Sequence, residues 1–204
     1  IILIFDECTS GFRETNGGLH KLYNVEPDMA MFGKALGNGY AITAVIGKRS
    51  IMDAAQNTFI SSTFWTERIG SVAGLKTISL MEETHSWKII SETGKRIKRR
   101  WQQIAENNSV PIEITGLDAL CSFTIKHKDS IAFKTFITQE MLKKGYLAGN
   151  LIYVSTVHND KILDGYFENL NDIFNKIGNI IKDGDDIYNY LDGPVCHSGF
   201  TRLN

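Results

Sequence analysis

At 204 residues, with 43% hydrophobic and 22% charged side chains and a formal net charge of −1, the chain can build a sizeable core and offers no electrostatic case for a nucleic-acid or anionic-membrane partner. Cys8, Cys121 and Cys196 are too scattered for a disulfide framework or a metal site, which favours a reducing compartment and a cytoplasmic location. No apolar stretch is long enough to span a bilayer, and no signal-peptide pattern is present.

Ile1 to Phe5 is a continuous apolar, β-branched run, expected to be a strand covered on both faces. It ends in Asp6-Glu7, which places two carboxylates at the strand's C-terminal edge, where open α/β sheets bind ligands. A buried strand without a leading methionine implies that the chain is the C-terminal part of a longer polypeptide. Ser10-Gly11-Phe12-Arg13 and Gly17-Gly18 read as a loop, Leu19 to Val25 as a short helix stopped by Pro27, and Asp28 to Phe32 as the next strand. Lys34 leaves its end, followed by Gly37 and Gly39, which permit φ > 0 or close backbone approach. At the mouth of a buried strand, desolvation would depress the lysine pKa and free the amine as a nucleophile. Taken alone, such a lysine reads as a surface residue at a strand-to-turn exit, and it is its neighbours in the sequence that point to chemistry. Asp6 and Lys34 stand 28 positions apart, the order for strand, crossover and parallel neighbour, so both side chains would share one rim.

Ala41 to Ile46 is a third apolar run, and Ser50 can cap a short helix through Gln56. Ser61-Ser62-Thr63-Phe64-Trp65-Thr66 puts hydroxyls before a helix, as an anion site or as ordinary capping. From Arg68 to about Asn107 the pattern is helical, with Leu75, Ile78, Met81, Ile89, Ile97, Trp101 and Ile104 on the expected buried face. Lys95-Arg96-Lys98-Arg99-Arg100 then forms a solvated face. A domain boundary near 84–87 gives a unit over 1–85, a small α+β unit over 86–183 entered by the linking helix, and an extended tail over 184–204. Within the second unit, strands are expected at Ile112–Thr115, Cys121–Ile125 and Leu151–Val154, with helices over Ile131–Lys144 and Asp160–Asp183. The second helix has Ile162, Phe167, Leu170, Ile173, Phe174 and Ile177 at core spacing. Arg202 in the tail is available to an anion.

The strand ending in Asp6-Glu7 before Gly11-Phe12-Arg13, the stretch Phe32-Gly33-Lys34-Ala35-Leu36-Gly37, and Ser62-Thr63-Phe64 before a helix occur in an order and separation that resemble the class III aminotransferases. These pyridoxal-phosphate enzymes of fold type I include glutamate-1-semialdehyde aminomutase and ornithine-type transaminases. The resemblance covers nearly the whole chain, as the C-terminal part of a large, mainly parallel-sheet domain followed by the small C-terminal domain. It implies that Lys34 holds pyridoxal 5'-phosphate as an internal aldimine. It further implies that Asp6 pairs with the pyridine nitrogen and that Cys8 packs on the ring face where a Val is usual. Thr63 would reach the phosphate bound by a neighbouring subunit, giving a homodimer with shared active sites and with small-molecule amino donors and carbonyl acceptors as partners. The family's phosphate loop and stacking aromatic lie upstream of Asp6, so this portion carries part of the cofactor site.

Gly37-Asn38-Gly39-Tyr40-Ala41 departs from the family's glycine triplet and proline. Trp65-Thr66-Glu67 stands where Gly-Asn-Pro often follows the threonine, a variant resembling the aminomutase-like branch and aminotransferases of sugar pathways. An aminomutase or racemase would use the same lysine and aspartate, and a non-catalytic remnant or partner half would keep the fold without turnover. His20, His85, His127, His158 and His197 lack metal-ligand spacing and read as structural or surface residues, His158 being the one that follows a strand towards a possible substrate. Gly37-Asn38-Gly39 lacks the third glycine of a dinucleotide fingerprint.

Overall fold

A computed structural model of the chain describes residues 1–199, which form two compact units divided between Ser91 and Glu92. Phe200, Thr201 and the anion candidate Arg202 lie outside the described residues.

The first unit contains a three-stranded sheet in the order β1 (Ile4–Glu7), β2 (Met29–Phe32), β3 (Ala44–Gly47). β1 and β2 pair in parallel with Asp6 opposite Met31 and Glu7 opposite Phe32, whereas β3 returns antiparallel. The crossover between β1 and β2 holds a 3-10 turn over Leu19–Tyr23, stopped at Asn24 in the left-handed conformation. Ala30, Phe32 and Leu36 form a small core, against which Phe5, Phe12, Ile42, Ala44 and Ile78 pack.

The apolar opening run is not covered on both faces. Ile1, Ile2, Leu3 and Ile4 are exposed, because β2 is the only strand paired with β1 among the described residues. The short helix after β3 also differs from expectation. α1 (Arg49–Met52) continues as a 3-10 turn over Asp53–Asn57, and Lys48, not Ser50, takes the cap position without a side-chain bond.

The long helical pattern is two helices, α2 (Arg68–Thr84) and α3 (Ser86–Asn107), broken at His85. His85 adopts φ 53°, donates its N–H to the Met81 carbonyl, and stacks its ring on Trp87 at 5.1 Å. A left-handed residue ends a helix whatever its side chain, and histidine there gives no glycine-like stop signal. Met81 is buried as expected, but Leu75 and Ile89 are exposed.

In the second unit α3 lies with a meander of β4 (Ile112–Leu117), β5 (Leu120–Ile125) and β6 (Leu151–Tyr153), together with α4 (Ser130–Lys143) and α5 (Asp160–Asp183). The apolar spacing of α3 and α5 buries Ile97, Trp101, Ile104, Leu170, Ile173, Phe174 and Ile177, while Ile162 stays exposed in the first turn of α5. Trp101 meets Phe123 edge-on at 4.8 Å, and its indole N–H donates to the buried Tyr166 hydroxyl at 2.9 Å, so the one polar atom of that ring is satisfied. Gly94 lets α3 reach the β4–β5 turn, since a Cβ there would lie 1.7 Å from the Asp118 carbonyl oxygen. The basic face of α3 is engaged within the unit: Lys98 bonds Asp118, Arg96 pairs with Asp160, and Arg100 lies over the Phe167 ring. After α5 the chain is not simply extended. It forms a 3-10 turn over Ile187–Tyr190 with Ile187 buried.

Glu140 on α4 ties that helix to α5 through Lys176. Burial pushes its carboxyl up, but donors from Lys143, Lys176 and Gln139 outweigh that and hold it at about 2, against an ordinary 4.5. A depressed folded pKa means that the unfolded chain binds more protons, so the stabilisation is complete above the ordinary value and fades as pH falls towards 2. Both lysines are about half exposed, so screening keeps the contribution to about 2 kcal/mol or less. Glu140→Gln should therefore lower stability near neutral pH and flatten its loss on acidification through this window, read by denaturant melts at pH 7 and pH 3.

Candidate active site

Asp6 and Glu7 are neighbours with opposite fates, because successive side chains of a strand point to opposite faces. Glu7 turns inward and is buried at 3% exposure. Its carboxylate accepts from the Ser10 hydroxyl at 2.5 Å, from the His20 backbone N–H at 3.0 Å and from His20 Nδ1 at 3.0 Å. Burial raises the Glu7 carboxyl, yet these donors and the Leu19 N–H bring it below the usual range. Gly18 makes room for the arrangement, since a Cβ there would meet the His20 ring at 2.2 Å. The bridge from Glu7 to His20 closes the 8–20 loop at both ends.

Asp6 turns the other way and is exposed. Its carboxylate accepts the Cys8 N–H at 3.0 Å. That bond, the Cys8 thiol and the positive charge of Lys34 hold the carboxyl below its ordinary value, so it is an anion at neutral pH. Cys8 is half-buried, its thiol pushed up by burial and by Asp6, and its sulfur lies 3.8 Å from where a Gly33 side chain would begin.

Lys34 opens a 3-10 turn over Lys34–Leu36 directly after β2 and takes φ 44°. Its side chain is exposed, not shut in as the apolar approach suggests. Nζ donates to the Thr9 hydroxyl at 2.5 Å, and Nε of Arg13 donates to the Thr9 carbonyl at 2.6 Å. Gly37 serves the turn itself, since a Cβ would lie 2.1 Å from the Tyr40 carbonyl oxygen; the positive-φ position is Gly39, at 106°.

The structure thus brings Asp6, Cys8 and Lys34 together at the C-terminal ends of β1 and β2. Thr63 is exposed on the loop before α2 and takes no part in the hydrogen bonds around Lys34. The start of α2 is capped by Glu67, whose carboxylate accepts from the N–H groups of Ile69 at 2.8 Å and Gly70 at 3.4 Å. Of the two roles open to the stretch before α2, the capping of these two N–H groups falls to the Glu67 carboxylate and not to a hydroxyl. His158 also has a local role, accepting the Ser155 N–H at 3.2 Å within its own turn. Thr9 and the Glu7–His20 pair were not evident from sequence. A charged residue one step from a ligand-edge aspartate, followed by a Gly-Gly-x-His segment, was the available signal for the pair. Thr9 offered none.

The family model described as aminotransferase class-III matches residues 1–174. The chain belongs to the class III aminotransferases. It is 37% identical over 139 residues to a 3-aminobutyryl-CoA aminotransferase of Cloacimonas acidaminovorans, covering 68% of this chain and 34% of that one. A glutamate-1-semialdehyde 2,1-aminomutase of Sulfurihydrogenibium azorense is 31% identical over 190 residues, covering 85% and 44%. The chain therefore spans less than half the length of these relatives. Among solved structures, the internal aldimine form of the FumI protein of Sphingopyxis sp. MTA144 superimposes with TM-score 0.82 at 20% identity, over 89% of this chain and 44% of that one. A transaminase with PLP bound superimposes with TM-score 0.76 at 20% identity, over 87% and 45%. The fold is that of the fold type I PLP-dependent transferases.

The Glu7 anchor has a measurable consequence. Removing the carboxylate leaves the His20 and Leu19 N–H groups and the Ser10 hydroxyl without their acceptor in a buried place. Glu7→Ala should cost about 2–3 kcal/mol in the first unit. Hydrogen exchange at the amides of Leu19 and His20 checks it: both should lose protection, while the amides of α5 keep theirs.

Proposed function

We propose that the protein transfers an amino group between an amino donor and an aldehyde or keto acceptor, with pyridoxal 5'-phosphate held at Lys34 and Asp6. The observation that carries this reading is the meeting of one primary amine and one carboxylate at the same sheet rim, close enough for the lysine charge to act on the Asp6 carboxyl. The residues fit the cofactor: Lys34 offers an exposed amine able to condense with an aldehyde, and Asp6 an exposed anion able to accept from a protonated ring nitrogen. When bound, pyridoxal phosphate supplies an electron sink for the bond broken at the substrate's Cα.

Asp6 would hold the proton on the ring nitrogen, a task suited to a carboxylate already stabilised as an anion by the Cys8 N–H. Cys8 lies beside Asp6 and Gly33, where it can pack on a ring face. Lys34 Nζ would hold the cofactor and, as a free amine, would serve as the base that moves a proton at the substrate's Cα.

We assign 1–85 to the cofactor-binding domain, 86–183 to the small domain and 184–204 to a tail. The active form is proposed as a cytoplasmic homodimer in which Thr63 meets the cofactor phosphate of the neighbouring subunit. In support, Phe59, Ile60, Phe64 and Trp65 beside Thr63 are all more than half exposed, an apolar surface suited to a partner. Among the described residues no helix is long and apolar enough to cross a membrane. The aminomutase-like relative favours a second reading, in which the amino group is moved within one molecule.

Lys34→Ala should lower amino transfer by at least about 10³-fold, since anchor and base are lost together. Asp6→Asn should lower it by about as much while leaving Lys34 able to capture pyridoxal phosphate in a borohydride-fixed adduct. Transfer by Lys34→Ala at the unsubstituted rate overturns the reading. Product analysis with isotopically labelled amino nitrogen separates transfer between molecules from transfer within one.

A further inference from the structure

We infer that Thr9 is a positioning residue for the Lys34 amine, its hydroxyl holding Nζ in place before any carbonyl arrives. The inference rests on the proposed role of Lys34 and goes beyond it by naming what aims the side chain. A lysine has four rotatable side-chain bonds, and ordering it costs up to about 2 kcal/mol. Lys34 leaves the backbone at φ 44° and is exposed, so packing does not select its rotamer. Its Nζ contact with Thr9 Oγ1, at 2.5 Å, crosses 25 positions of sequence and does select one.

Thr9 is itself fixed from three directions. Arg13 Nε grips its carbonyl, the preceding Cys8 N–H is bound to Asp6, and the following Ser10 hydroxyl is bound to the buried Glu7. The hydroxyl therefore stands on a braced segment beside the Asp6 carboxylate. It has two lone pairs and one proton. It accepts from the amine, which leaves the nitrogen free to react in a direction set by the protein. When Nζ is carried away in a new bond, Thr9 keeps its place and marks the position to which the amine returns. Pre-paying the ordering cost in this way speeds capture of the carbonyl and each return of the amine.

The test separates hydroxyl from methyl and positioning from chemistry. Thr9→Val keeps the shape and removes the hydroxyl; Thr9→Ser keeps the hydroxyl and removes the methyl. NMR relaxation at the Lys34 Cε, with no cofactor added, should show a side chain more ordered than that of exposed Lys76. This order should fall to the Lys76 level in Thr9→Val and persist in Thr9→Ser. The rate of borohydride-fixed capture of pyridoxal phosphate at Lys34, located by peptide mass spectrometry, should fall about tenfold in Thr9→Val and stay within about twofold in Thr9→Ser, the tenfold corresponding to 1.36 kcal/mol. A Lys34 as mobile as Lys76 in the unsubstituted protein, or unchanged by Thr9→Val, overturns the inference. Loss of order and rate in Thr9→Ser as large as in Thr9→Val overturns it too, since the methyl would then be responsible. Should Lys34 be ordered by Thr9 yet never capture pyridoxal phosphate, the proposed function falls and the positioning contact stands.

Discussion

The register of β1 against β2 decides what the two consecutive carboxylates do. Pairing Asp6 with Met31 and Glu7 with Phe32 sends Glu7 into the interior and Asp6 out to the rim. A slip of one residue would exchange the two faces. Asp6 would then be buried among the donors of the 8–20 loop, and Glu7, longer by one methylene, would stand at the rim. The apolar contact of Phe5 and Phe12 with the small core resists that slip, and so does the fourfold satisfaction of Glu7. A buried ionised group is tolerated only where its acceptor sites are filled, so the Glu7 network makes the correct register the one that can be desolvated. The exposure of Asp6 at the rim thus follows from the needs of its buried neighbour.

The two units solve the problem of stability differently. The second has a continuous apolar core of Ile97, Trp101, Phe123, Phe133, Leu170, Phe174 and Ile177, all fully or nearly fully buried. Its polar interior atoms are few and paired, Trp101 to Tyr166 being the clearest case. The first unit has a core of three buried side chains and leans on hydrogen bonds within the 8–20 loop. A loop braced by polar contacts can hold several functional groups at exact spacings while presenting them to solvent, which an apolar core cannot do.

Periodic apolar residues made α5 legible from Asp160 to Asp183, the apolar run ending in Asp6-Glu7 located β1, and the apolar run ending on Gly33 located β2 and the Lys34 turn. The parallel pairing that unites Asp6 with Lys34 also followed from the spacing between them. What escaped had no local signature. The break at His85 depends on a backbone angle that histidine does not advertise. Leu75 and Ile89 fit a helical stripe, but exposure is decided by what covers the stripe, and nothing in a period names the cover. The cap of α2 was looked for among hydroxyls, whereas a carboxylate at Glu67 binds two of the same N–H groups with charge assistance. Thr9 belongs to the site through a contact 25 residues away, and a lone threonine between a cysteine and a serine carries no pattern at all.

Lys34 itself supplies the last physical argument for a chemical role. A non-glycine residue at φ 44° costs about 1–2 kcal/mol, and glycine or asparagine would turn the chain there at less expense. The Lys34 side chain returns little of that by packing, because it is exposed and its one hydrogen bond is to a hydroxyl. Four residues on, Asn38 takes a similar φ of 46° with a side chain suited to it. The strain at Lys34 is therefore not explained by the turn or by the core. A left-handed lysine just after β2, near enough for its charge to act on the Asp6 carboxyl, is the kind of strained residue that clusters at functional sites.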